Sequence, residues 1–143
     1  MVSYLQLERI NDDEINTNAP VVFDNVLSSN GTEISYNIAT GEITFNIEGY
    51  YYVDWFVAPQ FGLTTNGSNF AIVTSDNDPH LTGSSHVRVS PTVGFAIINV
   101  TTPGKTIMLI NTSDNSITLS QVVNAKAALA VFGVATLTLV PES

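Results

Sequence analysis

Apolar positions in this chain recur with a period of two or in short unbroken runs, and no segment holds a helical period over eleven residues. The runs are rich in Val, Ile, Thr, Tyr and Phe. Clusters of Asn, Gly, Ser, Asp and Pro break them about every ten residues, the spacing of a sandwich or barrel. The pattern predicts strands over Tyr4–Arg9, Val21–Asp24, Glu33–Ile38, Ile43–Ile47, Tyr50–Ala58, Asn69–Thr74, Ser85–Val89, Val93–Val100 and Thr106–Asn111. It adds Ser116–Val122, as a hairpin partner of Thr106–Asn111 across Thr112–Asn115, and Ala127–Val140. The last segment is Ala-rich and is the best helix candidate. Its β-branched and aromatic residues, with Gly133 inside the run, favour a strand. The fold class expected is all-β: one antiparallel jelly-roll sandwich of about ten strands spanning 1–143. Residues 1–19 would be an N-terminal strand and loop, leading in from any upstream stalk.

The segment Tyr50–Ala58 departs from simple alternation. One face carries Tyr51, Val53, Trp55 and Val57, and the other carries Tyr50, Tyr52, Asp54, Phe56 and Ala58. A strand with one face in water shows one polar face. Here both faces are bulky, and Phe95–Ile98 and Ala127–Val134 are apolar on both faces too. Either helices cover the sheet or another subunit does, and the chain predicts no helix. Self-association follows, with Tyr50, Tyr52, Asp54 and Phe56 as interface candidates. The alternative is that these tyrosines are ordinary amphipathic surface residues.

Composition narrows the function. The length, 143 residues, suits a single domain with one core. There is no cysteine, so a disulfide scaffold, a thiolate zinc site and a cysteine nucleophile are excluded. Thirteen acidic residues face four basic ones (Arg9, Arg88, Lys105, Lys126), for a net charge of −9. That balance argues against nucleic acid and anionic membranes. The N-terminal stretch lacks the basic and apolar regions of a signal peptide. The apolar stretch Ala125–Val140 is too short and too interrupted for a spanning helix, so no membrane insertion is expected.

Chemical constellations are sparse. His80 and His86 lie near Ser84, Ser85, Asp76 and Asp78, but Gly83-Ser84-Ser85-His86 is not a nucleophile elbow, and two histidines six apart make a poor zinc set. Asp76 and Asp78 alternate as oxygen ligands and are the calcium candidates, although the EF-hand pattern fails at Leu81 and Val87. Asn11-Asp12-Asp13-Glu14 reads as a solvated acidic loop. Phe61 and Phe70 flank a polar stretch where a sugar could stack, or where Phe70 simply enters the core. Glycosylation sequons occur at Asn30, Asn66, Asn99 and Asn111. No nucleotide-binding glycine motif occurs, no catalytic residue is assigned, and no enzyme is expected.

The order of features in the first half is distinctive: Val22-Phe23-Asp24, Asn30-Gly31, Tyr36-Asn37, Thr40-Gly41, Phe45, then Gly49-x-Tyr51-x-Val53. This resembles the complement globular-head and tumour-necrosis-factor-like jelly roll. The second half, from Val93 to Val134 with its Thr102-Pro103-Gly104 turn and final Ala/Leu-rich strand, is similar to the bacterial branch. That branch is the C-terminal domain of exosporium collagen-like glycoproteins (BclA-like). The resemblance covers Pro20–Val134, and no collagen-like Gly-x-y repeat precedes it in this sequence. It implies a homotrimer whose long Gly49-led strand faces the threefold axis. Asp54 would then occur three times near the axis, with Arg88 as a candidate partner or the rim as its place in water. It further implies an extracellular head on a cell or spore surface, serving assembly and adhesion. The alternative is the glycan- or receptor-binding tip of a phage or surface fibre.

Overall fold

The structure is a computed structural model. It describes residues 3–30, 32–60, 67–78 and 91–134 in full, and the backbone of Leu81–Ser85. Among these residues there is no helix. The strands are β1 (Tyr4–Arg9), β2 (Asn25–Ser29), β3 (Ile34–Asn37), β4 (Glu42–Phe45), β5 (Gly49–Val57), β6 (Ser68–Thr74), β7 (Leu81–Ser85), β8 (Thr92–Val100), β9 (Lys105–Asn111) and β10 (Ala127–Val134). They form two five-stranded sheets, ordered β2-β1-β10-β5-β8 and β3-β4-β9-β6-β7. Every pairing is antiparallel. Connections that pass between the sheets, such as β4 to β5 and β9 to β10, make the arrangement a jelly roll.

Period-two patterning builds the core. Leu5, Leu7, Tyr51, Val53, Trp55, Val57, Ala96, Ile98, Leu129 and Val131 point inward from the first sheet. They meet Ile34, Ile43, Phe45, Phe70, Ile72, Ile107 and Leu109 of the second. Phe45 packs at a tilt against Tyr51 and Phe70 meets Trp55 edge to face. Phe70 is thus a core residue, which answers the sugar-stacking alternative on its side. Phe61 lies outside the described residues.

Two expected strands are corrected. Val21–Asp24 is not a strand, and the ladder begins at Asn25. Val21 N donates to Leu109 O, and beyond it side chains take up backbone groups of this segment and its neighbours. The Tyr36 hydroxyl donates to Phe23 O and accepts from Phe23 N, both at 2.7 Å. The Arg9 guanidinium donates to Val22 O at 2.9 Å. The Asp24 carboxylate accepts from the Ile10 and Asn11 amides. Ser116–Val122 forms no hairpin with β9. Ile117 and Leu119 make single bridges to Ile15 and Pro59, and bury across one end of the sandwich. Asn111 sets this course: its buried amide donates to Ile15 O, Asn16 O and Asn115 O. Of the strand expected at Ser85–Val89, residues 86–89 lie outside the described residues; Ser85 ends the strand described at Leu81–Ser85, and the last strand is described to Val134. The turn Ala39–Glu42 is present, with Gly41 at φ 79°, where an added Cβ would also crowd Val21 O.

The register defines two ends. Tyr4, Phe132, Tyr50, Val100 and Lys105 lie toward one end, and Arg9, Ala127, Val57, Thr92 and Asn111 toward the other. Ser3 O accepts from Gly133 N, so the beginning of β1 and the end of β10 are tied at the first end.

Candidate functional site

The outer face of the β2-β1-β10-β5-β8 sheet is the candidate site. Because side chains alternate, the inward set Tyr51, Val53, Trp55 and Val57 forces Tyr50, Tyr52, Asp54 and Phe56 outward together. Neighbouring strands place further side chains in the same rows. Tyr52 stands between Phe132 of β10 and Ile97 of β8. Asp54 stands between Ala130 and Phe95, and Phe56 between Ala128 and Val93. Tyr52 stacks near Phe95 at 6.3 Å and tilts against Phe132 at 5.3 Å.

This face is strongly apolar and open. Phe95, Ile97 and Val93 are 69%, 64% and 62% exposed, and Tyr50, Val134, Phe132 and Tyr4 about half so. Alanines at 128 and 130 leave a trough of about 240 Å³ beside Gln6, Asp54, Phe56 and Val93. Among the described residues of β1, β10, β5 and β8, no cation points out of this face. Its carboxylates are Asp54 at the centre and Glu8 toward the β2 side. The sequence reading found the β5 contribution and the two-sided runs in β8 and β10. It did not single out Phe95, Ile97 and Phe132, whose place beside Tyr52 depends on strand order.

The calcium candidates go elsewhere. Asp76 and Asp78 lie at the end bearing Lys105, whose ammonium sits 3.1 Å and 2.6 Å from their carboxylates. Asn99 O accepts a third bond at 2.9 Å, and Thr74 Oγ1 donates to Asp78. Lys105 thus fills the place between the carboxylates that a cation would take. The bond from Lys105 holds the Asp78 carboxyl below its usual range. Burial pushes the Lys105 ammonium down, but its bonds to Asp78 and Asp76 more than reverse this and the net shift is upward. Among the described residues, no group of three or more His, Asp or Glu side chains could hold a metal ion.

The other described bases are also consumed internally. The Arg9 guanidinium donates to Asn11 O, Val22 O and Asp13 O, and burial lowers its proton affinity despite the neighbouring Asp24 and Asp13. Lys126 Nζ donates to Val123 O. Arg88, His80 and His86, the side chains of Ser84 and Ser85, and Asn66 lie outside the described residues. Of the remaining sequons, Asn111 is buried with its amide engaged, Asn30 Oδ1 accepts from Tyr4 N, and Asn99 is exposed on the apolar face.

No protein-family model matches the chain, and no curated protein sequence matches it. Solved structures do. The globular domain of zebrafish complement 1qA protein is 15% identical, with 93% of this chain and 96% of that one covered and a TM-score of 0.67. Murine APRIL at pH 5.0 is 10% identical, with 94% and 100% covered and a TM-score of 0.67. Eiger TNF from S. frugiperda is 12% identical, with 100% and 98% covered and a TM-score of 0.62. These likenesses span nearly the whole length of each chain, and they show that the fold is the all-β jelly roll of the tumour-necrosis-factor and complement-head type.

Proposed function

We propose that the chain is a non-enzymatic, self-associating head, with three copies closing around the outer faces of the β2-β1-β10-β5-β8 sheets. The observation that carries this reading is the contiguous apolar face around Tyr52, Phe56, Val93, Phe95, Ile97 and Phe132. An exposed patch of that kind marks an interaction surface. We take the occupant to be another copy. The chain is strongly acidic and its described cations are buried, and across β1, β10, β5 and β8 this broad apolar face carries only Asp54 and Glu8 as described carboxylates. Two copies therefore bring few like charges together here. Each large side chain covered contributes ~1.5–3 kcal/mol, and a closed ring covers all copies equally.

The ends of the sandwich fit a displayed head. Any segment preceding Ser3 leaves from the end that bears Tyr4 and Lys105. The loops at Ile10–Asn18 and Ser120–Asn124 then project at the opposite end. A bacterial cell or spore surface, with adhesion through those loops, is the setting we favour. A second reading, a glycan- or receptor-binding fibre tip, draws on Val122, which is 92% exposed in the same loop set. A glycan array separates the two, because a purely assembling head stays silent on it.

Light scattering coupled to size exclusion tests the assembly. A mass near three times 15.3 kDa is expected. Tyr52→Asp puts a charge into the aromatic row and is expected to yield folded monomer. A monomeric native chain, or a Tyr52→Asp variant of native mass and affinity, refutes this interface.

A further inference from the structure

The apolar face has one charged group at its centre, and among the described residues the fold offers it no counter-charge. Asp54 is flanked by Ala130 on β10 and Phe95 on β8, with Tyr52 and Phe56 two residues away on its own strand. From β10 the facing side chains are Ala128, Ala130, Phe132 and Val134, and from β8 they are Val93, Phe95, Ile97 and Asn99; none is titratable. Beyond β10, β1 presents Gln6, with Tyr4 and Glu8 to either side. Among the described residues, the titratable groups that share this face with Asp54 are therefore Tyr4, Tyr50, Tyr52 and Glu8, and none of them supplies a positive charge. A second copy presents the same described residues, and its Arg9, Lys105 and Lys126 are already buried in internal bonds.

We infer that Asp54 makes assembly proton-linked: the trimer forms with this carboxyl protonated and is opposed by its charge. The inference rests on the self-association reading above. In the free protomer Asp54 is exposed and hydrated. Closing the ring removes that water and brings three copies of the group into one apolar environment. Desolvation and like charge both disfavour the ionised form. The neutral acid enters at lower cost and gains a hydrogen-bond donor, which Gln6 or a neighbouring carboxyl can accept. One proton is taken up per protomer, so by linkage the association constant of the trimer rises by as much as about a thousandfold for each pH unit the pH falls through the titrating range. Such a head assembles tightly in acid and loosens toward neutral pH.

The test is sedimentation equilibrium of the whole chain across a pH series, for the native protein, Asp54→Asn and Asp114→Asn. Asp114 is an exposed loop carboxylate and reports the general loss of acidic repulsion. The native and Asp114→Asn trimers are expected to tighten at least tenfold from about pH 7.5 to about pH 5. Asp54→Asn is expected to be tighter than native near neutral pH and to have a much flatter profile. Circular dichroism on each variant confirms a native protomer, which the exposed position favours. A native trimer whose pH profile matches that of Asp54→Asn overturns the inference. So does an Asp54→Asn trimer that is weaker than native, because that sign means a cation of the partner neutralises the carboxylate. Addition of EDTA or calcium covers the remaining source of positive charge, and a native trimer that dissociates in EDTA at neutral pH also overturns it. If every protein is monomeric at every pH, the self-association reading itself fails, which is a distinct outcome.

Discussion

Lys105 and its two carboxylates give the sharpest stability prediction. The Lys105 side chain is only 5% exposed, while those of Asp76 and Asp78 are 56% and 43% exposed. The three groups are therefore not equivalent. A carboxylate that loses the ammonium still reaches water, but an ammonium that loses both carboxylates does not. Asp78→Asn removes a charge-assisted bond worth ~1.5–3 kcal/mol in general. Its exposure screens it, and Asp76 still neutralises Lys105, so about 1 kcal/mol is expected. Asp76→Asn, at the longer distance and with greater exposure, is expected to cost about 0.5 kcal/mol. The double variant strands a buried cation among neutral oxygens, a situation that costs ~3–5 kcal/mol. The double loss should then exceed the sum of the single losses by ~1.5–3 kcal/mol.

Urea unfolding at one fixed protein concentration measures this, since any self-association would add apparent stability. A double variant whose cost equals the sum of the singles within about 0.5 kcal/mol refutes the reasoning, because independent sites add. The pH dependence carries the same information with a definite sign. Asp78 is depressed in the folded state, so its contribution is present above the ordinary value of 3.8 and is lost as pH falls below it. Lys105 is raised, so its contribution is present below the ordinary 10.5 and is lost as pH climbs past the still higher folded value. The double variant should therefore lose part of the native dependence at both the acid and the alkaline extreme.

Two further substitutions probe the core. Gly94 pairs with Trp55, and a Cβ there would overlap the indole ring, whose nitrogen would lie 2.9 Å away. Gly94→Ala is expected to destabilise the fold by ~1–3 kcal/mol through overpacking. Fluorescence of Trp55, the chain's one tryptophan, should shift with it; an unchanged spectrum and stability count against the contact. Asn111→Ala strands the carbonyl of Asn115 and the amide of Ser113, while Ile15 O keeps its bond from Ile117 N, and is expected to cost about 2–4 kcal/mol, measured by thermal unfolding. A loss under about 1 kcal/mol means water replaces the side chain.

Much of the fold is legible because strand patterning is local. Alternation in β1, β4, β5, β8 and β9 can be read within a few residues, and the turns at Ala39–Glu42 and Pro103-Gly104 announce themselves by residue type. The failures share a different cause. Val21–Asp24 has strand composition, but Tyr36, Arg9 and Asp24 capture its backbone or its neighbours' from 13 or 14 positions away. Ser116–Val122 alternates well, yet Asn111 and Pro59 draw it across the end of the sandwich. Long-range side-chain bonds to backbone decided both segments, and no local pattern encodes them.

The site divides along the same line. A strand apolar on both faces is visible in one dimension, so the outward set Tyr50, Tyr52, Asp54 and Phe56 could be named without a structure. The charge environment of Asp54 could not. Four bases in the sequence look like four available partners for thirteen acids. Folding removes three of them: Arg9 to carbonyls, Lys105 to Asp76 and Asp78, and Lys126 to Val123 O. Each of these interactions spends a cation at one end of the sandwich, and among the described residues none is left on the outer face of β1, β10, β5 or β8. The property that makes Asp54 a candidate regulator is thus one that only the arrangement of the whole chain creates, and it makes the sign of the pH response the decisive observable.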